Sequence, residues 1–282
     1  MRRPYPEIYM STVTAAEHET TANLDEATKA ALHRLLRAIA DNKLLLGYHY
    51  GEWTFGTPVL EAAVANCSLA QSELGHLRLL DGILKKSFGD DPDAVLANRA
   101  PEAFANVRYL DHGLPGWTEC VAMNAVVDFA ITTLLNTMHD SSFRPVRNSV
   151  DKMLDEERYH VHHGRGWVRT WAALGDEEQA ALSAQLGIAL AHVAEWFGPA
   201  GEPDDEALVA AGIKTSTNAE ILQLVQAELD RLVSDVGLSL PGADAPTFES
   251  WTPAYRRVSS TGPDSEILSH LRGDSNDLFK LG

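Results

Sequence analysis

Cysteine is scarce: Cys67 and Cys120 are the only two in 282 residues. Two thiols build no disulfide framework in a chain of this length, and they predict a reducing cytoplasm as its setting. Positive charge is short as well. Lys and Arg number 23 against 40 Asp and Glu, a net charge of −17. Surfaces that bind nucleic acid or anionic lipid rest on Lys and Arg, so neither is an expected partner. No uninterrupted apolar run reaches the ~18 residues of a membrane span. The start, Met1-Arg2-Arg3-Pro4-Tyr5-Pro6, has no apolar stretch behind it that would read as a signal peptide. Strand-like alternation does not run for any length. A glycine-rich phosphate loop is missing, and with it any flavin or nicotinamide motif. What these absences leave is a globular, all-helical chain, 45% hydrophobic and 22% charged.

The helices announce themselves by apolar spacing. Residues 1–22 read as an irregular N-terminal arm. Asn23 is the expected N-cap of a first helix ending near Tyr50, with Leu32, Leu35, Leu36, Ile39, Leu44 and Leu46 on its inner face. Pro58 suits the first position of a second helix to about Lys86, with Leu60, Val64, Leu69, Leu74, Leu77 and Leu80 turned inward. Residues 90–115 are mixed. A third helix, 117–138, is apolar nearly all round and therefore central. A fourth runs to about Leu174, and shorter ones cover 176–197, 204–211 and 217–236. From Gly237 to 282 the composition predicts an irregular tail with one helical turn near 266–271. Helices of about 20–30 residues are rods of ~30–45 Å, which pack best as a bundle over residues 23–236.

Two of these helices carry the same motif. Glu73-Leu74-Gly75-His76 and Glu157-Arg158-Tyr159-His160 are both Glu-x-x-His, which puts carboxylate and imidazole on one helix face. Ferritin-like carboxylate bundles hold a pair of metal ions with two such motifs and one carboxylate from each of two further helices. Asp128 is a lone carboxylate inside the apolar third helix, costly there unless paired or metal-bound. It lies 29 residues before Glu157, as adjacent antiparallel helices require. The matching height on the first helix is taken by Lys43, with no carboxylate beside it. Glu73, Asp128 and Glu157 sum to −3, so one divalent ion beside charged Lys43 gives neutrality. Two ions do so only if Lys43 is carbamylated. Gly75 beside His76 suits a close helix approach. His163 shares the face of His160, where it reads as a partly exposed helix histidine or a group behind the ligands. Tyr48 and Tyr50 read as packing or as channel lining, the tryptophans as core or interface anchors, and both cysteines as small buried hydrophobes.

These residues also resemble a family. Gly47-Tyr48-His49-Tyr50-Gly51-Glu52-Trp53, Ser72-Glu73-Leu74-Gly75-His76, Val127-Asp128 and Asp155-Glu156-Glu157-Arg158-Tyr159-His160, with Gly164 and Trp167, are similar to the ferritin-like A and C subunits of the multicomponent phenylacetyl-CoA epoxidase. The likeness spans residues of about 30 to 240. It implies a ferritin-like four-helix bundle with additional C-terminal helices. It also implies an O2-activating non-haem iron monooxygenase acting on an organic acid or its CoA or carrier thioester, fed by an external reductase. The A subunit's di-iron ligands fall on Glu73, His76, Asp128, Glu157 and His160. Its first-helix glutamate falls on Lys43, which would complete the shell or replace one iron by its ammonium. The helix with Glu157 and residues 207–213 look more like the C subunit, so the alternative is a non-catalytic structural partner. A homo- or hetero-oligomer is expected.

Overall fold

The computed structural model describes residues 20–241, 246–259 and 261–274. Among them there is no strand, only an isolated bridge between Thr252 and Arg257. Most of the expected N-terminal arm lies outside the described residues.

Helix α1 (Glu26–Glu52) is capped by Asp25, whose carboxylate accepts from Thr28 N at 2.9 Å. Asn23 does not cap it, because Thr21–Asn23 forms its own 3₁₀ turn. The helix runs two residues beyond the expected Tyr50, so Glu52 is its last residue. Helix α2 (Leu60–Phe88) begins two residues after Pro58 and stops at Gly89, which takes φ 81° and returns its N–H to Lys85 O. That left-handed conformation costs glycine little. Val64 on α2 is 65% exposed rather than turned inward, and Cys67 is exposed too. Cys120 is the buried cysteine, as expected.

After the short helix α3 (Pro92–Asn98), the central helix runs through α4 (Trp117–Ala122), a π-helical stretch (Met123–Asp128) and α5 (Phe129–Thr137). By length and composition Trp117–Thr137 is apolar enough to cross a membrane, and most of it is buried inside the protein. Helix α6 (Arg144–Ala172) carries Pro145 in its first turn, and α7 (Asp176–Phe197), α8 (Pro203–Ala210) and α9 (Asn218–Asp235) follow. Thr217 and Glu220 cap α9 reciprocally, in the pattern that satisfies its first free N–H groups. Helix α1 pairs along α2, α2 meets α6, and the π-helical stretch lies against α6 and α7. The four long rods thus enclose one core, the ferritin-like arrangement.

Small residues set the closest approaches. A Cβ on Gly47 would come within 3.1 Å of Leu74, and one on Gly164 within 2.7 Å of Asn124 Oδ1 and 3.2 Å of Ala125 Cα. Gly75, the expected contact, faces open space.

The described residues of the C-terminal segment are irregular up to a last short helix and are pinned to the bundle. Trp251 Nε1 donates to Glu195 O at 2.8 Å, and buried Arg257 pairs with buried Asp111 at 2.6 Å. Asp264 N donates to Asp111 O at 2.8 Å. Helix α10 (Ser265–Arg272) then lays Leu268 on Leu44 and Phe104, while Tyr48 OH and His270 Nδ1 meet at 3.0 Å. The segment is held by side chains reaching the bundle, which periodicity within the segment does not reveal.

Candidate metal centre

Six side chains converge where the apolar rods would otherwise be dry. Lys43, Glu73, His76, Asp128, Glu157 and His160 are each at most 1% exposed. One ligand-type atom from each of Glu73, Asp128, Glu157 and His160 lies within 4.8 Å of all the others. His76 flanks this group, with Nδ1 3.3 Å from Glu157 Oε1 and 4.0 Å from Glu73 Oε2. Both Glu-x-x-His motifs therefore point at one spot, each from the middle of a long helix.

Lys43 is at the centre of the group. Its Nζ bonds Glu157 Oε1, approaches Glu73 Oε2 at 2.9 Å and lies 3.5 Å from Asp128 Oδ1. Burial opposes its charge, but the Glu157, Glu73 and Asp128 carboxylates outweigh burial and hold the amine protonated well above its usual range. Burial raises the Glu73 carboxyl to about 7, even with Lys43 pulling it down. Burial also acts to raise Glu157, but Lys43 and His160 hold it well below the ordinary carboxylate range. His160 is disfavoured as a cation by burial, and Glu157 and Asp128 reverse that, keeping it protonated. Without a metal, two internal cations thus face three carboxyl groups, one of which titrates near neutrality.

Neighbours fix the carboxylates and rings. Tyr50 OH donates to Asp128 Oδ2 at 2.7 Å, and Thr132 Oγ1 to Glu157 Oε2 at 2.6 Å. His160 Nδ1 lies 2.9 Å from Asp128 Oδ2 and 3.1 Å from Glu73 Oε1. Half-exposed Glu156 accepts from His76 Nε2 at 2.9 Å, which leaves the Nδ1 lone pair turned toward the centre. A second chain of bonds enters from the other side. The indole N–H of Trp167 can only donate, so His163 Nε2 accepts it at 3.1 Å. Its proton is therefore on Nδ1 and goes to Asn124 Oδ1 at 3.0 Å. That orients the amide so that Asn124 Nδ2 donates to Asp128 Oδ2 at 3.3 Å and to His160 O at 3.2 Å. Burial pushes the His163 imidazole down to about 4, so it is neutral in this role.

Sequence spacing missed Thr132, Asn124 and Glu156. Asn124 and Thr132 sit four residues either side of Asp128, a signal that was present but is common to any helix. Tyr50 is two turns from Lys43 on the same face, and its hydroxyl serves Asp128 rather than packing alone.

The donor set suits a metal ion. Glu73 Oε2, Asp128 Oδ1 and His76 Nδ1 are buried and make no hydrogen bond, only the ion-pair approaches given above. Carboxylate and imidazole donors together fit first-row divalent ions such as iron. One position is already taken by the Lys43 ammonium.

Comparison with known proteins agrees with this architecture. Residues 10–254 match the family described as Phenylacetic acid catabolic protein. The chain is also similar to the C subunit of 1,2-phenylacetyl-CoA epoxidase from Escherichia coli (strain K12). The two are 24% identical over 244 residues, covering 86% of this chain and 94% of that protein.

Proposed function

The chain belongs to the phenylacetic acid catabolic protein family, and from that premise we propose that it is a subunit of a multicomponent monooxygenase whose buried centre takes one iron ion beside the Lys43 ammonium. The observation behind this reading is the position of Lys43, bonded to two carboxylates and fully buried. Three carboxylates, one divalent ion and one ammonium sum to zero, whereas a second divalent ion would leave the centre positive.

Glu73, Asp128 and Glu157 would hold the ion with their oxygens, and His76 and His160 with ring nitrogens. Iron held there supplies O2 activation for oxygen transfer to an organic acid or its CoA or carrier thioester. The protein's own groups do the rest. Lys43 keeps the third carboxylate ionised in a place where water cannot. Tyr50 and Asn124 hold one Asp128 oxygen and Thr132 one Glu157 oxygen, so each carboxylate keeps its other oxygen for the centre. Electrons come from a separate reductase.

A second reading is favoured by the same ammonium and by the likeness to the epoxidase's C subunit. Lys43 and protonated His160 offset two of the three carboxylates with no metal, and Glu73, raised to about 7, takes up a proton to complete the balance, as suits a structural partner of a catalytic protein. Metal content after anaerobic ferrous loading separates the two. One iron per chain, rising toward two in Lys43→Glu, supports the oxygenase reading. No retained iron in the unaltered chain supports the structural one. Two irons in the unaltered chain would refute the role given to Lys43 in both.

A further inference from the structure

Helix α2 turns one row of side chains to solvent. Leu60, Val64, Cys67, Gln71, Arg78 and Gly82 follow at three- and four-residue spacing and are all exposed, Leu60 by 76% and Val64 by 65%. Gly75 belongs to the same row, and a Cβ there would meet nothing within 4 Å. The row is about 33 Å long at 1.5 Å per residue. Its small residues let another backbone come close.

The two ends of this row differ in shape and in charge. The turn before α2 holds Phe55, which is 97% exposed, with Val59 beside it. An apolar group of that size left in water marks a surface that something covers. At the other end a cleft of about 500 Å³ opens between α2, the start of α6 and residues Thr20 and Thr21. Leu79 and Ile83 of α2 and Pro145 of α6 are its apolar lining. Glu61 lies in the first turn of α2, whereas Lys85 and Lys86 lie in its last turn, with Arg78 before them. Neither Glu61 nor Arg78 forms an ion pair with another described residue.

A face with a knob and an acid at one end, and a cleft and cations at the other, complements itself when turned end for end. A two-fold axis between residues 69 and 70 sets Glu61 of one copy opposite Arg78 of the other, because the two are equally far from that point. Val64 and Gly75 are matched in the same way. The turn carrying Phe55 then falls at about the height of Ile83 and its cleft. Each contact occurs twice, as a two-fold interface requires, and antiparallel helices oppose their macrodipoles favourably.

We propose that this face of α2 is an interface between two copies of the chain, with Phe55 of each seated in the cleft of the other. The pairing is independent of what the buried centre holds. It brings Val64 of the second copy over Gly75, next to His76, on the side where half-exposed Glu156 holds the His76 ring.

Sedimentation of the full chain tests the pairing. At about 100 μM the mass should be twice the 30.8 kDa of one chain, and dilution gives the dissociation constant. Phe55→Asp and Val64→Asp should each weaken association at least tenfold. Both side chains are exposed, so the far-ultraviolet spectrum should hold. Glu61→Arg alone and Arg78→Glu alone should each weaken it at least tenfold, because symmetry sets every like-charge contact twice. The two reversals together should restore association to within about threefold of the unaltered chain. That rescue is particular to the antiparallel register, since a parallel pairing or another face gives none. A chain that stays single at about 100 μM overturns the proposal, even where a different helical protein then covers the row. So does a dimer that either Asp variant leaves intact, or a double reversal no tighter than the single ones.

Discussion

Replacing Lys43 by methionine keeps the shape of the side chain and removes its charge. In the metal-free protein this strands Glu73, Glu157 and Asp128 in a centre where none is more than about 1% exposed. Removing one partner of a buried ion pair costs about 3–5 kcal/mol. At about 2.1 cal/mol/K per residue, the unfolding entropy of a 282-residue chain is roughly 0.6 kcal/mol/K, so melting should fall by about 5–8 °C. The loss should depend on pH, with a definite sign. Glu73 titrates near 7 in the folded protein against an ordinary 4.5. Its contribution is therefore complete below about 4.5 and gone once pH passes about 7. Without Lys43 both Glu73 and Glu157 move upward, and both follow that same sign. The deficit should be large at pH 8 and small at pH 5.5, where the carboxyls take up protons instead. Cobalt(II) at a hundred times its dissociation constant should restore about 2.7 kcal/mol by mass action. Urea unfolding of both proteins at the two pH values, with chelator and with cobalt, measures all of this. A loss below about 1 kcal/mol, the same at both pH values, would refute Lys43 as the internal counter-ion.

Gly164→Ala should cost about 1–3 kcal/mol by overpacking, since its new methyl meets Asn124 Oδ1 and Ala125; thermal melting tests it. Nitrogen-15 shifts should show His163 neutral and protonated on Nδ1 at pH 7, charging only as pH falls toward its folded value of about 4; a charged ring at pH 7 would break the bond order assigned from Trp167 to Asp128. Tyr50→Phe withdraws a hydrogen bond from a carboxylate and should lower stability by about 1.5–3 kcal/mol in urea unfolding. Arg257→Ala leaves buried Asp111 without its ion pair, and should destabilise the chain by about 3–5 kcal/mol, with faster proteolysis after residue 246.

The helices were legible because apolar spacing is a property of the chain itself, and the third helix could be placed at the centre from composition alone. The convergence of Glu73, Asp128, Glu157 and His160 was legible for a related reason. Equal heights on neighbouring rods follow from residue counts between motifs. Spacing could not show which atom of Lys43 meets which carboxylate, nor that Asn124 and His163 tie Asp128 to Trp167. Those are contacts between helices, set by the depth of Gly164 and Gly47 rather than by pattern. The pinning of the C-terminal segment is hidden from sequence for a similar reason. Arg257 and Trp251 look like residues of a polar tail until Asp111 and the Glu195 carbonyl are placed opposite them.

The π-helical stretch Met123–Asp128 makes the centre sensitive to chain length as well as to residue identity. Such turns hold an extra residue and often occur at functional sites. An α-helix turns about 100° per residue. A deletion of one residue between Trp117 and Ala122, in ordinary winding outside the turn that absorbs an extra residue, would swing Asp128 and Thr132 by about that angle relative to Trp117. Every ligand-type side chain would still be present in the sequence, and the carboxylate of the third helix would face a different neighbour. In this fold, therefore, a centre can be lost by a shift in count that leaves all of its named residues in place.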